Sequence, residues 1–396
     1  MPAVPGAVSV GGWERRRRPR GFPVRRRCAR KAPIDWSETP PAEAGCDPVG
    51  LERVVDLVRS RGATSQLCVL RDGHVVLDRA TRCAPESLFW TFSAGKPFVA
   101  MLVHLLAERG ALSLDDPVAA YWPEFAQHGK AGITVRQVLQ HRSGVPVAGS
   151  TLGDAVTMTS WGCAVRQIER ARPTWPAGQV PAYQILSFGF ILGELVQRVT
   201  GVPVREFLAT ELLEPLGMHD TFLGLPDDAW PRSVPLRISG VGGRVVQTVV
   251  NRRATRRAVI PAAGVSTTAR DLATFYLMLL SGGELGATRV LAPETIAQAR
   301  TPSSDGETDR YAKMPIRWSQ GFQLGGPGHD PHAIRPMGRL SSPETFGHNG
   351  SNCCLAWADP TRRLVVVYLS NRLTSRRADA LHLSAFSDSV VAACIG

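Results

Sequence analysis

The stretch FWTFSAGKPFVAMLV, residues 89–103, begins a segment that is apolar on nearly every side of a helix. The apolar run ends at Gly110, so the sequence predicts a buried central helix. Ser93 and Lys96 stand at its start, three residues apart, which places them one turn apart on one face. Lys96 is unusual here, because the chain has 42 Arg but only four Lys. An amine can give up its proton and a guanidinium cannot, so the residue type points to chemistry.

Two β-hairpins stand outside this helix, near opposite ends of the sequence. Residues 65–80, SQLCVLRDGHVVLDRA, are two apolar runs joined by an Asp-Gly turn, and residues 352–371, NCCLAWADPTRRLVVVYLSN, repeat the pattern around Asp-Pro. Helices over about 49–61 and 375–393 flank them. The hairpins therefore predict one antiparallel sheet built from both ends of the chain and flanked by terminal helices.

The middle of the chain is mostly helical. Four stretches come after the central helix, and each ends in a glycine that marks the end of a helix: TVRQVLQHRSG, FGFILGELVQRVTG, VREFLATELLEPLG and TARDLATFYLMLLSGG. We expect an α+β fold with an all-helical insertion between the two halves of the sheet. Residues 46–396 should form one domain, with its sheet region at about 46–92 and 320–396 and a mainly helical region at about 93–319. A cleft where the two regions meet is the natural place for an active site.

The net charge of +12 is concentrated in the N-terminal tail. Residues 1–31 contain ten basic residues and one acidic residue, and the remaining 365 residues carry a charge of only +3. We expect residues 1–45 to be a disordered basic tail or an over-long start, with a transit-like peptide or a nucleic-acid arm as alternatives. The body has no basic stripe, so we expect no nucleic-acid partner.

Cysteine usage and hydropathy indicate a cytoplasmic protein without a membrane partner. The eight cysteines are scattered without CxxC spacing or a disulfide framework. No stretch approaches 18 apolar residues, and the tail lacks the apolar segment of a secretory signal. His329 and His332 form an incidental pair in a Gly/Pro-rich loop, so we expect neither a metal nor another cofactor. The sequence leaves the oligomeric state open.

Three places in the sequence can supply acyl-transfer chemistry. Ser93 is a nucleophile once a base removes its proton, and Lys96 in apolar surroundings is such a base. Tyr183, just before a helix, can share or relay that proton. The run HNG enters the second hairpin: Gly350 lets a substrate approach the strand edge, whose N–H groups can form half of an oxyanion hole, and His348 can donate to substrate or assist the relay. Each place alone also has an ordinary explanation, as a helix cap, a core tyrosine or a structural histidine.

Taken together and in order, these motifs resemble the serine β-lactamase and penicillin-binding-protein superfamily, most of all its class C-like branch and the family VIII esterases. The likeness extends over about residues 46–390. It implies a β-lactamase/transpeptidase-like fold and an acyl-enzyme on Ser93, formed from an ester, lactone or amide. By the same resemblance, Lys96 and Tyr183 transfer protons, and the backbone N–H groups of Ser93 and Ser351 stabilise the oxyanion.

Two departures from the family pattern favour a neutral, small-molecule ester or lactone over a penicillin. The family's Tyr-x-Asn becomes Tyr183-Gln184-Ile185, and Ile185 cannot hydrogen-bond an antibiotic amide. The usual Lys-Thr-Gly begins with His348 instead, which removes a permanent cation. The alternatives are an acyltransferase of the same fold, a β-lactamase or peptidase, and an inactive binding protein. An α/β-hydrolase would need G-x-S-x-G, and the sequence has no such pentapeptide.

Overall fold

The computed structural model describes residues 34–240, 242–327 and 333–394. The α-helices, in chain order, are α1 (Pro48–Ser60), α2 (Lys96–Glu108), α3 (Val135–Leu139), α4 (Thr151–Thr157), α5 (Trp161–Arg170), α6 (Ser187–Thr200), α7 (Val204–Leu208), α8 (Gly243–Val250), α9 (Arg253–Arg257), α10 (Ala269–Leu280), α11 (Pro293–Arg300) and α12 (Arg376–Ala393). Short 3₁₀ turns lie at Phe92–Gly95, Val118–Ala120, Pro123–Gly129 and Trp230–Arg232, and a π turn lies at Ala209–Leu213.

The strands, in chain order, are β1 (Ser65–Arg71), β2 (His74–Thr81), β3 (Phe89–Trp90), β4 (Phe222–Leu223), β5 (Arg237–Ile238), β6 (Val265–Thr267), β7 (Glu284–Leu285), β8 (Thr288–Arg289), β9 (Thr308–Asp309), β10 (Met314–Pro315), β11 (Gln323–Leu324), β12 (Phe346–Gly350), β13 (Cys354–Asp359), β14 (Leu364–Ser370) and β15 (Arg372–Leu373).

The centre of the molecule is a six-stranded antiparallel sheet with the order β11-β12-β13-β14-β1-β2. Strands β1 and β2 form the first expected hairpin, and β13 and β14 form the second. The hairpins join where β1 pairs with β14, from Ser65 opposite Ser370 to Arg71 opposite Leu364. Both ends of the chain therefore build one sheet, and the terminal helices α1 and α12 pack together beside it.

Both faces of this sheet are buried. Side chains alternate between the two faces along each strand, so each strand contributes to the core on both sides. On β14, Val366 and Tyr368 pack with the terminal helices, whereas Val365 and Val367 belong to the larger core that contains α2, α6 and α10. All four side chains are fully buried. Burying a valine contributes roughly 1.5–3 kcal/mol, so the sheet is a rigid base for the loops at its edge.

The region at about 93–319 is mainly helical, but the insertion within it is not all-helical, because it also contains short strands. Strands β3, β6 and β4 form a three-stranded sheet of their own, and α10 packs against the central sheet. Only two residue pairs join β3 to β6, too few to leave a recognisable pattern in the sequence. This small sheet matters for the site, because β3 leads directly into the turn that contains Ser93.

The described part of the expected tail packs on the domain. Thr39 N donates to Val75 O over 2.8 Å, the N–H of Asp78 donates to Glu38 over 2.6 Å, and Ile34 is buried. Glu38 and Thr39 therefore lie beside β2. The Arg-rich residues of the tail lie outside the described residues, as do His329 and His332. Within the described ranges, no helix is both long and apolar enough to cross a membrane.

Candidate active site

Ser93 lies in the 3₁₀ turn at the start of α2. The turn is anchored from behind, since Thr91 N donates to Val265 O over 2.9 Å. Phe92 has a φ of 50°, a left-handed conformation that costs a non-glycine residue about 1–3 kcal/mol. A Cβ at Gly95 would lie 2.8 Å from Val265 Cγ2, so glycine lets the turn sit against β6. The strained turn holds the Ser93 hydroxyl at the wall of a cavity.

Lys96 is the first residue of α2 and is fully buried. Its Nζ lies 3.0 Å from Ser93 Oγ and donates to the carbonyl oxygens of Ile185, at 2.8 Å, and Ala262, at 3.2 Å. Burial lowers the pKa of Lys96 well below its usual value. A neutral amine has two N–H bonds, and the two carbonyls accept both. The lone pair is then left facing the Ser93 hydroxyl, which makes Lys96 a base for it.

Tyr183 contacts the same hydroxyl from another direction. Its OH donates to Ser93 Oγ over 2.5 Å. Burial raises the pKa of Tyr183, and the hydrogen bond to Ser93 opposes that shift only in part, so the phenol keeps its proton. The ring lies 4.8 Å from Lys96 Nζ, measured to its centroid, and can stabilise a positive charge there. Ser93 Oγ is thus placed between an acceptor and a donor.

Asp309 fixes the position of Tyr183, and the sequence contained no motif that indicated it. This fully buried carboxylate accepts from Tyr183 N over 3.0 Å and from the indole N–H of Trp318 over 3.0 Å. The Trp318 ring stacks on Tyr183 with 5.3 Å between centroids. One side chain therefore anchors both the backbone that carries Tyr183 and the ring that supports it.

His141 fixes the same loop on both sides of Tyr183. Its carbonyl accepts from Ala182 N over 2.8 Å, and its Nδ1 accepts from Gln184 N over 3.2 Å. Burial lowers the pKa of His141 well below its usual value, so the ring is neutral and Nδ1 can accept. His141 lies in the quoted stretch TVRQVLQHRSG, and its role was not predicted because a histidine near a helix end has no distinctive spacing.

Gly350 and Ser351 lie next to the nucleophile, at the end of β12. A Cβ at Gly350 would be 2.0 Å from Thr91 O, so this close approach of two backbones requires glycine. Ser351 follows with a φ of 51° and lines the same cavity as Ser93. The structure therefore brings these two expected residues together with Ser93.

His348 lies behind Tyr183, and it is not among the described residues that line the cavity. The centroid of its ring is 6.3 Å from that of Tyr183 and 6.0 Å from that of Trp318. Burial lowers the pKa of His348 far below its usual value, so the ring is neutral. Its Nδ1–H donates to Asn349 O over 2.9 Å, which leaves Nε2 as an acceptor. The expected donation from His348 to substrate does not fit this arrangement.

A cavity of about 1130 Å³ opens in front of Ser93. This volume is slightly above the roughly 300–1,000 Å³ typical of small-molecule sites. Its lining is largely apolar and includes Phe92, Ile185, Ile238, Val246, Met314 and Ile316. Across residues 34–240, 242–327 and 333–394, no three His, Cys, Asp or Glu side chains group as metal ligands would. The cavity can thus take an apolar acyl or alkoxy group beside the hydroxyl.

Comparison with known proteins identifies the family of this chain. Residues 54–386 match the family model described as Beta-lactamase. The chain belongs to this family. It is 30% identical to the Esterase/beta-lactamase LipL of Mycobacterium tuberculosis, over 78% of this chain and 77% of LipL. The β-lactamase fold and the assignment as a serine hydrolase, both expected from the sequence, are confirmed.

Solved structures of similar proteins have the same fold. A family VIII carboxylesterase is 26% identical, with a TM-score of 0.71, and the match covers 86% of this chain and 98% of that one. EstA from Arthrobacter nitroguajacolicus is 25% identical, with a TM-score of 0.72, and the match covers 89% of this chain and 99% of EstA. Esterases thus stand among the relatives of this chain.

Proposed function

We propose that this serine hydrolase cleaves a carboxylic ester or lactone through an acyl-enzyme on Ser93. The observation that carries the proposal is the pair of contacts at Ser93 Oγ, with Lys96 Nζ at 3.0 Å and Tyr183 OH at 2.5 Å. A neutral amine and a protonated phenol are the two groups that acylation needs, one to take a proton and one to supply it.

In the proposed first step, Lys96 takes the proton of Ser93 as Oγ attacks the substrate carbonyl. The backbone N–H groups of Ser93 and Ser351 donate to the oxyanion, and the helix that begins at Lys96 adds its positive end. Tyr183 then gives its proton to the leaving alkoxide and regains one from the Lys96 ammonium. Water attacks the acyl-enzyme by the same route in reverse and regenerates the free hydroxyl.

The substrate proposal rests on the side chains around this centre. Ile185 lines the cavity and offers no hydrogen bond, and His348 is neutral. Neither suits the amide or the carboxylate of a penicillin, whereas an uncharged ester needs neither group. The carboxylesterase and LipL relatives support this choice. The proposal includes a cytoplasmic location, no metal or other cofactor, and neither a nucleic-acid nor a membrane partner.

Hydrolysis of short-chain p-nitrophenyl esters, compared with hydrolysis of nitrocefin, tests the proposal. We expect turnover of the esters, its loss in Ser93→Ala, and labelling of Ser93 by a fluorophosphonate. Ester turnover that survives in Ser93→Ala contradicts the mechanism, and nitrocefin turnover far above ester turnover contradicts the substrate. Labelling without turnover of any ester favours the inactive binding protein. Transfer to an added alcohol faster than hydrolysis favours the acyltransferase.

Replacing Lys96 by arginine isolates the role of the amine. We expect Lys96→Arg to lose activity, because a guanidinium keeps its proton. Lys130→Arg is the matched control: this buried lysine also donates to carbonyl oxygens, including Gln127 O at 2.8 Å and Glu169 O at 2.9 Å, but its hydrogen bonds do not include Ser93, which Lys96 contacts. Activity per folded molecule should persist in Lys130→Arg. An active Lys96→Arg enzyme refutes the deprotonated-amine mechanism.

A further inference from the structure

Cys46 and Cys394 meet where the two terminal helices are in contact. Cys46 lies just before α1, and Cys394 directly follows α12. Their Sγ atoms are 3.1 Å apart, about 1 Å longer than a disulfide bond. The neighbouring backbones are already joined, since Asp47 N donates to Ala393 O over 2.7 Å. Forming an S–S bond here therefore requires only a small movement.

Arg71 makes this pair of thiols reactive. Its guanidinium donates to Gly45 O over 2.8 Å and also to the carbonyl of Cys394, and it lies 3.9 Å from Cys46 Sγ. The hydrogen bond with Cys394, and next the contact with Arg71, lower the pKa of Cys46 to about 7 against the effect of burial. The hydrogen bond with Cys46, and next burial, raise the pKa of Cys394, which keeps its proton. Above about pH 7 a Cys46 thiolate therefore lies beside the protonated Cys394 thiol, in the arrangement of an attacking and a resolving cysteine.

We propose that Cys46 and Cys394 form a reversible disulfide between α1 and α12 when the protein meets a peroxide. The Cys46 thiolate attacks one peroxide oxygen, the O–O bond breaks, and a sulfenic acid and hydroxide form. The Cys394 sulfur then attacks the sulfenic sulfur, the S–S bond forms, and the hydroxyl leaves as water with the Cys394 proton. The two sulfurs lose two electrons, the peroxide gains them, and a thiol reductant reverses the reaction.

Cys163 provides a matched control within the chain. Hydrogen bonds with Ser160, and the nearby Arg166, also lower the pKa of this thiol. Its sulfur lies 3.4 Å from an Arg166 nitrogen, a guanidinium and not a second thiol. A peroxide should therefore drive Cys163 to acids or mixed disulfides, and the Cys46 and Cys394 pair to an internal link.

The link joins residues far apart in the sequence, so it restricts the unfolded chain strongly. We expect oxidation to raise the thermal midpoint by at least about 3 °C. The activity of the oxidised protein toward an ester should stay within about 2-fold of that of the reduced protein, because the link touches no cavity residue. This margin allows for ordinary assay scatter. Neither cysteine lines the cavity at Ser93.

The experiment uses the full chain, reduced with dithiothreitol, desalted and treated with stoichiometric hydrogen peroxide. Tryptic peptides are analysed without reduction, and melting is followed with and without added reductant. We expect a Cys46–Cys394 linked peptide and a raised midpoint in wild type and Cys163→Ser, both absent in Cys46→Ser and Cys394→Ser. A link from either thiol to Cys28, a terminal sulfinic acid on Cys46, or two thiols that still alkylate while Cys163 is oxidised overturns the proposal.

Discussion

Replacing Lys96 by methionine tests whether the amine is neutral in the folded protein. Methionine fills a similar space and has no proton to lose. In the unfolded chain the lysine amine has a pKa of about 10.4 and is protonated at pH 7. Holding it neutral in the folded protein therefore lowers the free energy of unfolding by about 5 kcal/mol. Lys96→Met avoids this penalty, which raises its free energy of unfolding. It also loses the hydrogen bonds to Ile185 O and Ala262 O, which lowers the free energy of unfolding by about 1–2 kcal/mol each. We therefore expect Lys96→Met to be inactive yet more stable at pH 7, by about 1–3 kcal/mol.

The pH dependence is the sharper test. Above the folded pKa of Lys96 and below its unfolded pKa, the unfolded chain binds one more proton at this position than the folded protein. The stability of the wild type relative to Lys96→Met must then rise with pH, by about 1.4 kcal/mol per unit, and fall as the pH is lowered. Urea unfolding followed by circular dichroism at pH 7, 8 and 9 should show the advantage of the variant shrinking by about 3 kcal/mol.

Parallel stability curves for wild type and Lys96→Met would refute the argument, since they would mean that the folded protein keeps the proton on Lys96. Lys130→Met is the control. Burial lowers the pKa of Lys130 only to about 8, so below that pH its amine is charged in both states. The free energies of unfolding of Lys130→Met and wild type should differ by a constant amount from about pH 6 to 7. This difference should change only above about pH 8.

Three further substitutions probe the rest of the site. Gly350→Ala should lower kcat/KM by at least about 10-fold, because its Cβ would lie 2.0 Å from Thr91 O, whereas Gly132→Ala, with open space around the added Cβ, should change it little. Asp309→Asn should lower kcat by about 10-fold or more with little change in KM, since it loosens Tyr183 without touching substrate, and an unchanged kcat would exclude the positioning role. Ile185→Asn should raise the nitrocefin-to-ester ratio of kcat/KM, and a constant ratio would show that this position does not select the substrate.

The sequence predicted those parts of the fold that have a regular pattern of apolar residues. Strands β1, β2, β13 and β14 were visible as apolar runs around Asp-Gly and Asp-Pro turns, and the uniformly apolar α2 was visible as a buried helix. Ser93, Lys96 and Tyr183 could be chosen because three ordered motifs resemble one family. Their spacing along the chain, not any single residue, made the prediction specific.

The missed features have no periodicity. Asp309 lies in a two-residue strand. It positions Tyr183 by accepting hydrogen bonds from the Tyr183 backbone and from Trp318, and only the fold shows that these residues are close together. The state of His348 was missed for a similar reason, because its neutrality and its proton position depend on burial and on the Asn349 carbonyl. A residue type predicts which chemistry is available, but the surrounding groups decide which part of it is used.

The pairing of β1 with β14 also has a consequence for biosynthesis. Leu67 lies opposite Tyr368, so this central pair cannot form until about 300 more residues have left the ribosome, roughly 15–60 s later at 5–20 residues per second. During that interval the first hairpin exposes an unpaired edge and two apolar faces. Such a high contact order slows folding and invites aggregation, so the nascent chain should depend on chaperones that shield β1 until β14 arrives.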